Sequence, residues 1–269
     1  MIITPHPYGR MANRLILASH WIAHVEDTGD CYLHLCFADY ARFFEGTKGK
    51  LFLRYQSSHY EPRRSSRTFG CVNIWNTCDK LRQDYDLNTT DFLERQAKTR
   101  YLLTIGWGFR DKPATERQRA VLVDFFKPVA RHRSAIDRCI EPARRGVDHL
   151  VGVHIRQTDY RKFEGGKWFY PLSVYRRAME DAQAKYAGSV RFLICADHVL
   201  DGTAFQGLDV VHGPGHGVED CYALARCDFI IGPPSTYTYW ASYYGGVPRF
   251  VLETADQPVD LSRSAARRL

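Results

Sequence analysis

Apolar residues at Leu15, Ile16, Ala18, Ile22, Ala23 and Val25 recur at helical spacing and predict a helix over 13–28. A strand is expected at 31–35, helical segments at 39–44 and 90–98, and a strand at 100–105. A long helix is expected over 115–139, interrupted by Pro128. After Arg145-Gly146 the alternation sharpens: strand 150–155, amphipathic helix 172–185, strand 190–196, strand 207–212, helix 219–225, strand 228–232, helix 236–244 and strand 249–252. Strand following helix in this way predicts a parallel, doubly wound α/β architecture with ligands at the carboxyl ends of strands. A boundary near 147 divides the chain into an acceptor-side domain, 1–146, and a nucleotide-sugar domain, 147–269, two α/β halves around a cleft.

Composition narrows the choice little. The 269 residues, 45% hydrophobic and 25% charged, suffice for one large or two modest cores. No apolar run approaches the roughly 20 residues that span a bilayer, and the start, Met1-Ile-Ile-Thr-Pro-His-Pro, lacks the pattern of a signal peptide. A cytoplasmic location is expected. The eight cysteines form no C-x-x-C pair, and several sit in apolar runs, so buried free thiols are favoured over disulfides or zinc. A metal-free mechanism follows as the expectation. The formal charge of +7 suits polyanions: nucleotide diphosphates, anionic lipid or nucleic acid. Basic groups at Arg63-Arg64 with Arg67, Arg144-Arg145, Arg176-Arg177 and the tail from Arg263 to Arg268 read as solvated surface, with peripheral contact to the inner membrane face as the sharper alternative. Nucleic acid is not expected, because aromatic residues do not interleave with a basic stripe.

Four segments carry candidate chemistry. His154-Ile155-Arg156-Gln157-Thr158-Asp159-Tyr160 follows the buried strand Leu150-Val-Gly-Val-His154, so His154, Arg156 and Asp159 fall at a strand's carboxyl end. An arginine there can give parallel hydrogen bonds to a phosphate and neutralise a leaving diphosphate; the bland alternative is an Arg156–Asp159 salt bridge. Gly9-Arg10-Met11-Ala12-Asn13-Arg14 leads into the first helix with a permissive glycine and several donors, although Asn13 as a simple N-cap is equally good. Gly232-Pro-Pro-Ser235-Thr236 joins a strand to a helix whose first-turn amides suit an anion, with Ser235 as a plain cap the alternative. Glu164, in a loop with Gly165 and Gly166, and Asp159 are the candidates for the carboxylate that takes the acceptor's proton; a loop glutamate can equally be merely solvated. Asp197 and Asp220 sit where they can meet ribose, sugar or nucleoside. There is no G-x-S-x-G elbow and no phosphate-binding G-x-x-x-x-G-K-[ST] loop.

In this order the segments resemble the fucosyltransferase superfamily that includes bacterial alpha-1,2-fucosyltransferases of glycosyltransferase family 11 and the alpha-1,6- and protein O-fucosyltransferases. Gly9 to Arg14 resembles the opening G-x-x-G-N-Q loop, with Ala12 for the second glycine and Arg14 for the glutamine. His154 to Tyr160 matches H-x-R-x-x-D-Y, with Gln157 where a second arginine is common. Gly106-Trp-Gly-Phe-Arg110 resembles the connector before the second half, Phe192 to Asp197 the F-x-x-x-S-D strand end, and Asp220 to Trp240 the closing D-x-x-x-x-x-x-C-x-x-x-I-x-x-x-S-[ST]-[FY]-S-W-W region. The stretch 51–89 carries no family motif and is expected to choose the acceptor. The resemblance implies a GT-B-like fold of two Rossmann-like domains, GDP-fucose as donor, inversion at the sugar carbon, no required metal, and a glycan or lipid-linked saccharide as acceptor. It implies that His154 and Arg156 contact the diphosphate, that Asn13 assists, that Ser235 and Thr236 bind phosphate, and that Glu164 stands at the spacing of the proposed base in alpha-1,6 members. Ala12 and Gln157 keep open a transferase using another nucleotide sugar, or a nucleotide-binding protein without turnover.

Overall fold

Strand β8 (His149–Ile155) is buried from Leu150 onward, as a central strand covered on both faces of a parallel sheet must be. In the computed structural model it lies in a five-stranded sheet ordered β10-β9-β8-β11-β12, where β9 is Val190–Ala196, β10 Val210–His212, β11 Phe229–Gly232 and β12 Arg249–Val251. Every pairing is parallel. Val151, Val153 and Ile155 join Phe192, Ile194, Phe229 and Ile231 in a core that includes Tyr175 and Met179 of helix Leu172–Lys185. The opposite face of β8 carries Gly152, where an added Cβ would lie 2.6 Å from Leu224 and 3.1 Å from Cys227. Glycine there lets helix Gly217–Leu224 close onto the sheet, and His154, two residues on, shares that face.

The described residues are 1–60, 69–71, 85–99, 101–262 and 269, with 69–71 and 85 by backbone only. Arg63, Arg64, Arg67 and the tail from Arg263 to Arg268 lie outside them, as does most of the stretch assigned to acceptor choice. The chain divides into two compact units, Met1–Val129 with Arg268–Leu269, and Ala130–Arg267. The division falls before the boundary near 147 read from the sequence, because helix Ala130–Ala143 packs on helix Gly217–Leu224 and belongs with the second sheet.

The first unit has a five-stranded sheet ordered β3-β2-β1-β6-β4: β1 is Ile2–Thr4, β2 Cys31–His34, β3 Leu53–Gln56, β4 Phe69–Cys71 and β6 Tyr101–Leu103. It is parallel except for β3, antiparallel to β2. A small parallel pair joins β5 (Tyr85–Asp86) to β7 (Phe109–Arg110). Helix Met11–Thr28 is buried on almost every side, with Trp21 stacked or tilted against Tyr32, Phe92 and Phe109. The helix expected over 115–139 is three helices, Lys112–Arg117, Arg119–Phe125 and Ala130–Ala143, with the last break at Pro128.

Six described cysteines, Cys31, Cys36, Cys139, Cys195, Cys221 and Cys227, are free thiols. Among the described residues no helix is long and apolar enough to cross a membrane. Two of the basic groups are engaged at home: Arg144 pairs with Asp228 and Arg176 with Glu180.

Candidate active site

The order of the second sheet reverses direction at β8. The chain steps outward through β9 and β10 on one side, then returns to lay β11 and β12 on the other. In open α/β sheets the ligand crevice lies outside the carboxyl ends of the strands at such a switch. Arg156 follows β8 and Ser235 follows β11, and the two meet there, Arg156 Nη1 donating to Ser235 Oγ at 3.3 Å. The same guanidinium donates from Nε and Nη2 to the two carboxylate oxygens of Asp159, at 2.9 and 2.6 Å, and lies 4.4 Å above the Tyr160 ring. Tyr160 in turn donates its hydroxyl to the Pro234 carbonyl. Burial works against the guanidinium's charge, but the Asp159 contacts outweigh it and hold the group more firmly protonated than usual. Arg156 is thus a fixed, half-buried cation at the switch point.

Ser235 also caps helix Thr236–Gly245, accepting the Tyr237 N–H at 3.2 Å, so the reading as a cap and the reading as an anion ligand describe one residue. Ser235 takes the Tyr237 and Tyr239 amides of the first turn, and the N-terminal end of the helix lies beside Arg156. Arg249, at the start of β12, donates to the Ser235 carbonyl at 3.3 Å and to Thr238 Oγ1 at 3.0 Å. No sequence motif points to Arg249; only the pairing of β11 with β12 brings it under this turn.

His154 is buried and stacked on Tyr237, ring centroids 4.7 Å apart. Its Nδ1 lies 3.3 Å from the Cys195 carbonyl and Nε2 has no hydrogen-bond partner. A carbonyl only accepts, so the Nδ1 contact assigns the ring proton to that nitrogen. Burial, with the Arg156 charge adding, pushes the imidazole down to about 4. The neutral ring therefore presents a lone pair at Nε2, and a phosphate contact there requires a second proton.

Asp197, expected as a sugar or ribose ligand, is already engaged. It accepts the Gln157 and Thr158 N–H groups at 3.0 Å, the Thr158 hydroxyl and His198 Nδ1. Burial opposes its charge, yet these donors hold it at about 2. Its place is that of a brace for the turn after β8. Gln157 Nε2 completes the brace by donating to the Tyr170 carbonyl at 2.6 Å. Asp220 is buried near the start of helix Gly217–Leu224, with one oxygen accepting the Gly215 N–H at 2.8 Å. Burial, together with the neighbouring Glu219, pushes it up to about 6 despite that hydrogen bond.

The two base candidates differ in surroundings. Both oxygens of Asp159 hold Arg156, whereas Glu164 is exposed, with φ 45° and ψ 46°. It is the single non-glycine with positive φ among the described residues, and Gly165 and Gly166 follow it at 69° and 82°. The segment is tied back to the arginine by rings: Phe163 stacks on Tyr160 at 5.5 Å, and Trp168 tilts against Phe163 at 5.9 Å.

In the first unit, Gly9 has φ 65°, and a Cβ there would fall 2.0 Å from Asn13 Nδ2. Arg10 is the N-cap of helix Met11–Thr28, so Asn13 is not; it stands in the first turn with a buried, unpartnered Oδ1. Arg14 holds the loop, donating to the Gly9 and Cys36 carbonyls and to Asp39. Trp107 of the connector donates Nε1 to the Asn13 carbonyl at 3.3 Å and carries Arg110 on its ring at 4.1 Å. Among the described residues, one group has the makings of a metal site, His132, His216 and Glu219. Its members, at 132, 216 and 219, are drawn from two helices far apart in the chain, so local spacing does not reveal them.

Two α/β units of mainly parallel sheet define a GT-B-like fold. The sequence matches no family model and no curated protein. Among solved structures, the chain is similar to NodZ alpha-1,6-fucosyltransferase soaked with GDP-fucose, with TM-score 0.59 and 20% identity over 98% of this chain and 96% of that one. It is similar to fucosyltransferase NodZ from Bradyrhizobium, with TM-score 0.57 and 20% identity over 94% and 95%. It is also similar to an Arabidopsis thaliana FUT1 mutant in complex with GDP, with TM-score 0.55 and 14% identity over 98% and 72%. At these identities the likeness establishes the fold, the one these fucosyltransferases adopt.

Proposed function

We propose that this chain transfers L-fucose from GDP-fucose to a hydroxyl of a glycan or lipid-linked saccharide, with inversion, in the cytoplasm and without a catalytic metal. The observation that carries this reading is Arg156, locked by Asp159 at the switch point with its remaining nitrogen on the cap of an open helix turn. That arrangement suits a diphosphate leaving group: Arg156, Ser235 and the N-terminal end of the helix beginning at Thr236 face the β-phosphate, and His154 joins once it carries a second proton. Asp220, with one oxygen on Gly215, is assigned to the guanine N–H groups. The fucose C1–O bond to phosphate breaks as the acceptor oxygen bonds C1 from the opposite face, and the acceptor's proton passes to Glu164. GDP leaves with the bonding electrons. Glu164 is preferred to Asp159 because both oxygens of Asp159 already accept hydrogen bonds from the Arg156 guanidinium, whereas Glu164 is exposed. Gly9, Arg10 and Asn13 form a second candidate donor-binding loop, tested by the effect of Asn13→Ala on GDP affinity.

The test is GDP release from GDP-fucose across a panel of glycan acceptors, with other GDP-sugars alongside. Acceptor-dependent release supports transfer; preference for another GDP-sugar redirects the donor assignment, for which the departure at Gln157 is the sequence reason. Tight GDP binding with no acceptor-stimulated release rejects transfer in favour of a nucleotide-binding role.

A further inference from the structure

His132 lies near the start of helix Ala130–Ala143, while His216 and Glu219 open helix Gly217–Leu224. The helices pack together, and one ligand atom from each of the three side chains lies within 4.8 Å of the others. His132 Nδ1 meets Glu219 Oε1 at 2.7 Å, and the two imidazoles stack with centroids 5.0 Å apart. His132 is buried and Glu219 mostly so, with side chains 8% and 15% exposed, so both are held rather than waving in solvent. Glu219 also lines a surface groove with Cys139, His212 and Gly213, which gives an ion a way in. None of the three belongs to the diphosphate site.

We infer that His132, His216 and Glu219 form a binding site for a zinc-class divalent cation. Two imidazoles and one carboxylate are a ligand set that zinc uses, with water in the fourth tetrahedral position, at metal–nitrogen and metal–oxygen distances of about 2.0–2.2 Å. The nitrogen donors select zinc and its transition-metal neighbours over magnesium or calcium, which take oxygen. The present hydrogen bonds are those of an apo site. Arg131 Nε donates to His132 Nε2 at 3.2 Å, so the ring proton sits on Nδ1 and goes to Glu219. Cation uptake at Nδ1 moves that proton to Nε2 and turns Arg131 away, with no net proton released from His132. His216 accepts the Val218 N–H at Nδ1, 3.3 Å, so its proton sits on Nε2, and a metal bond at Nδ1 takes the place of that N–H. Bound metal would pin helix Ala130–Ala143 to the turn that precedes Asp220. Arg131 is the antagonist: its charge and its hydrogen bond both oppose the ion.

Calorimetric titration of the chelator-stripped full chain with zinc sulfate, against magnesium chloride, tests the site. The expected result is a single equivalent of zinc, no magnesium binding, and a higher melting temperature with zinc. His132→Gln and Glu219→Gln should each weaken zinc by about tenfold or more, and Arg131→Gln should tighten it several-fold. A wild-type chain that binds no zinc, or variants that bind it as wild type does, would overturn the proposal. Should the His132 variant fold poorly, the visible spectrum of cobalt added to the wild-type chain decides. A tetrahedral nitrogen–oxygen band supports the site, and its absence rejects it.

Discussion

Arg156 and Asp159 are paired through two parallel hydrogen bonds, Nε to Oδ1 at 2.9 Å and Nη2 to Oδ2 at 2.6 Å, which leaves Nη1 to point at Ser235. A guanidinium gripped on one edge has its other edge aimed before any ligand arrives, so the pair is a means of pre-positioning a cation. Asp159→Asn removes one acceptor and the charge while keeping the shape. It should weaken GDP binding and lower kcat/KM roughly ten- to hundred-fold, the worth of a charge-assisted hydrogen bond of about 1.5–3 kcal/mol. Calorimetry with GDP checks this, and unchanged GDP affinity would show that Asp159 is not the group that aims Arg156.

Ser235 does two things with one oxygen, capping helix Thr236–Gly245 and receiving Arg156. Ser235→Ala should lower stability by about 1 kcal/mol through loss of the cap and weaken GDP as well. Ser235→Asp keeps a cap but puts an anion at the phosphate position, so it should restore the melting temperature without restoring GDP binding. Recovery of both together would place the phosphate elsewhere.

His34 and His154 are both buried, and both are pushed down to about 4 by that burial, with Arg14 and Arg156 respectively adding to the effect. In the unfolded chain a histidine titrates near 6.5. Between these values the unfolded chain takes up protons that the folded chain refuses. The contribution of these two rings is therefore complete above about pH 6.5 and falls as pH drops toward 4, while Asp220, raised to about 6, offsets part of the loss below pH 6. Urea midpoints measured from pH 7 to pH 4.5 should decline over that window, and His34→Phe should flatten the decline. A profile that stays flat in wild type and in Asp220→Asn alike would mean that these rings are hydrated.

The second unit was largely readable because its strands are short apolar runs separated by helices of regular spacing. Helix Leu172–Lys185 and strand Val190–Ala196 fall where the periodicity puts them. Arg156, Asp159 and Ser235 meet at the carboxyl ends of their strands, the place the sequence pattern expects for them. The first unit was less readable for a physical reason: helix Met11–Thr28 is buried nearly all round, so its apolar pattern has no polar face to mark its ends, and the N-cap is Arg10 rather than Asn13. Asp197 looked like a ligand from its position after β9, but a strand-end carboxylate can serve the backbone of the neighbouring turn, and here Thr158 and Gln157 take it. The metal-ligand cluster and Arg249 depend on which helix or strand lies beside which, and local spacing does not encode that.

Glu164 holds a left-handed backbone, φ 45° and ψ 46°, between Phe163 and two glycines that adopt such angles freely. For a residue with a Cβ that conformation costs roughly 1–2 kcal/mol, and glycine adopts it without that cost. Local stability alone would favour glycine, so a glutamate here implies that the carboxylate is wanted in that place. Glu164→Gly should raise the free energy of unfolding by about 1 kcal/mol while abolishing transfer. Glu164→Gln should keep the strain and lose kcat with GDP affinity intact, the mark of a group that acts only in the chemical step. A glycine variant that is more stable and still transfers at the normal rate would return the base to Asp159 or to another carboxylate, and would leave the strain at Glu164 without a catalytic reason.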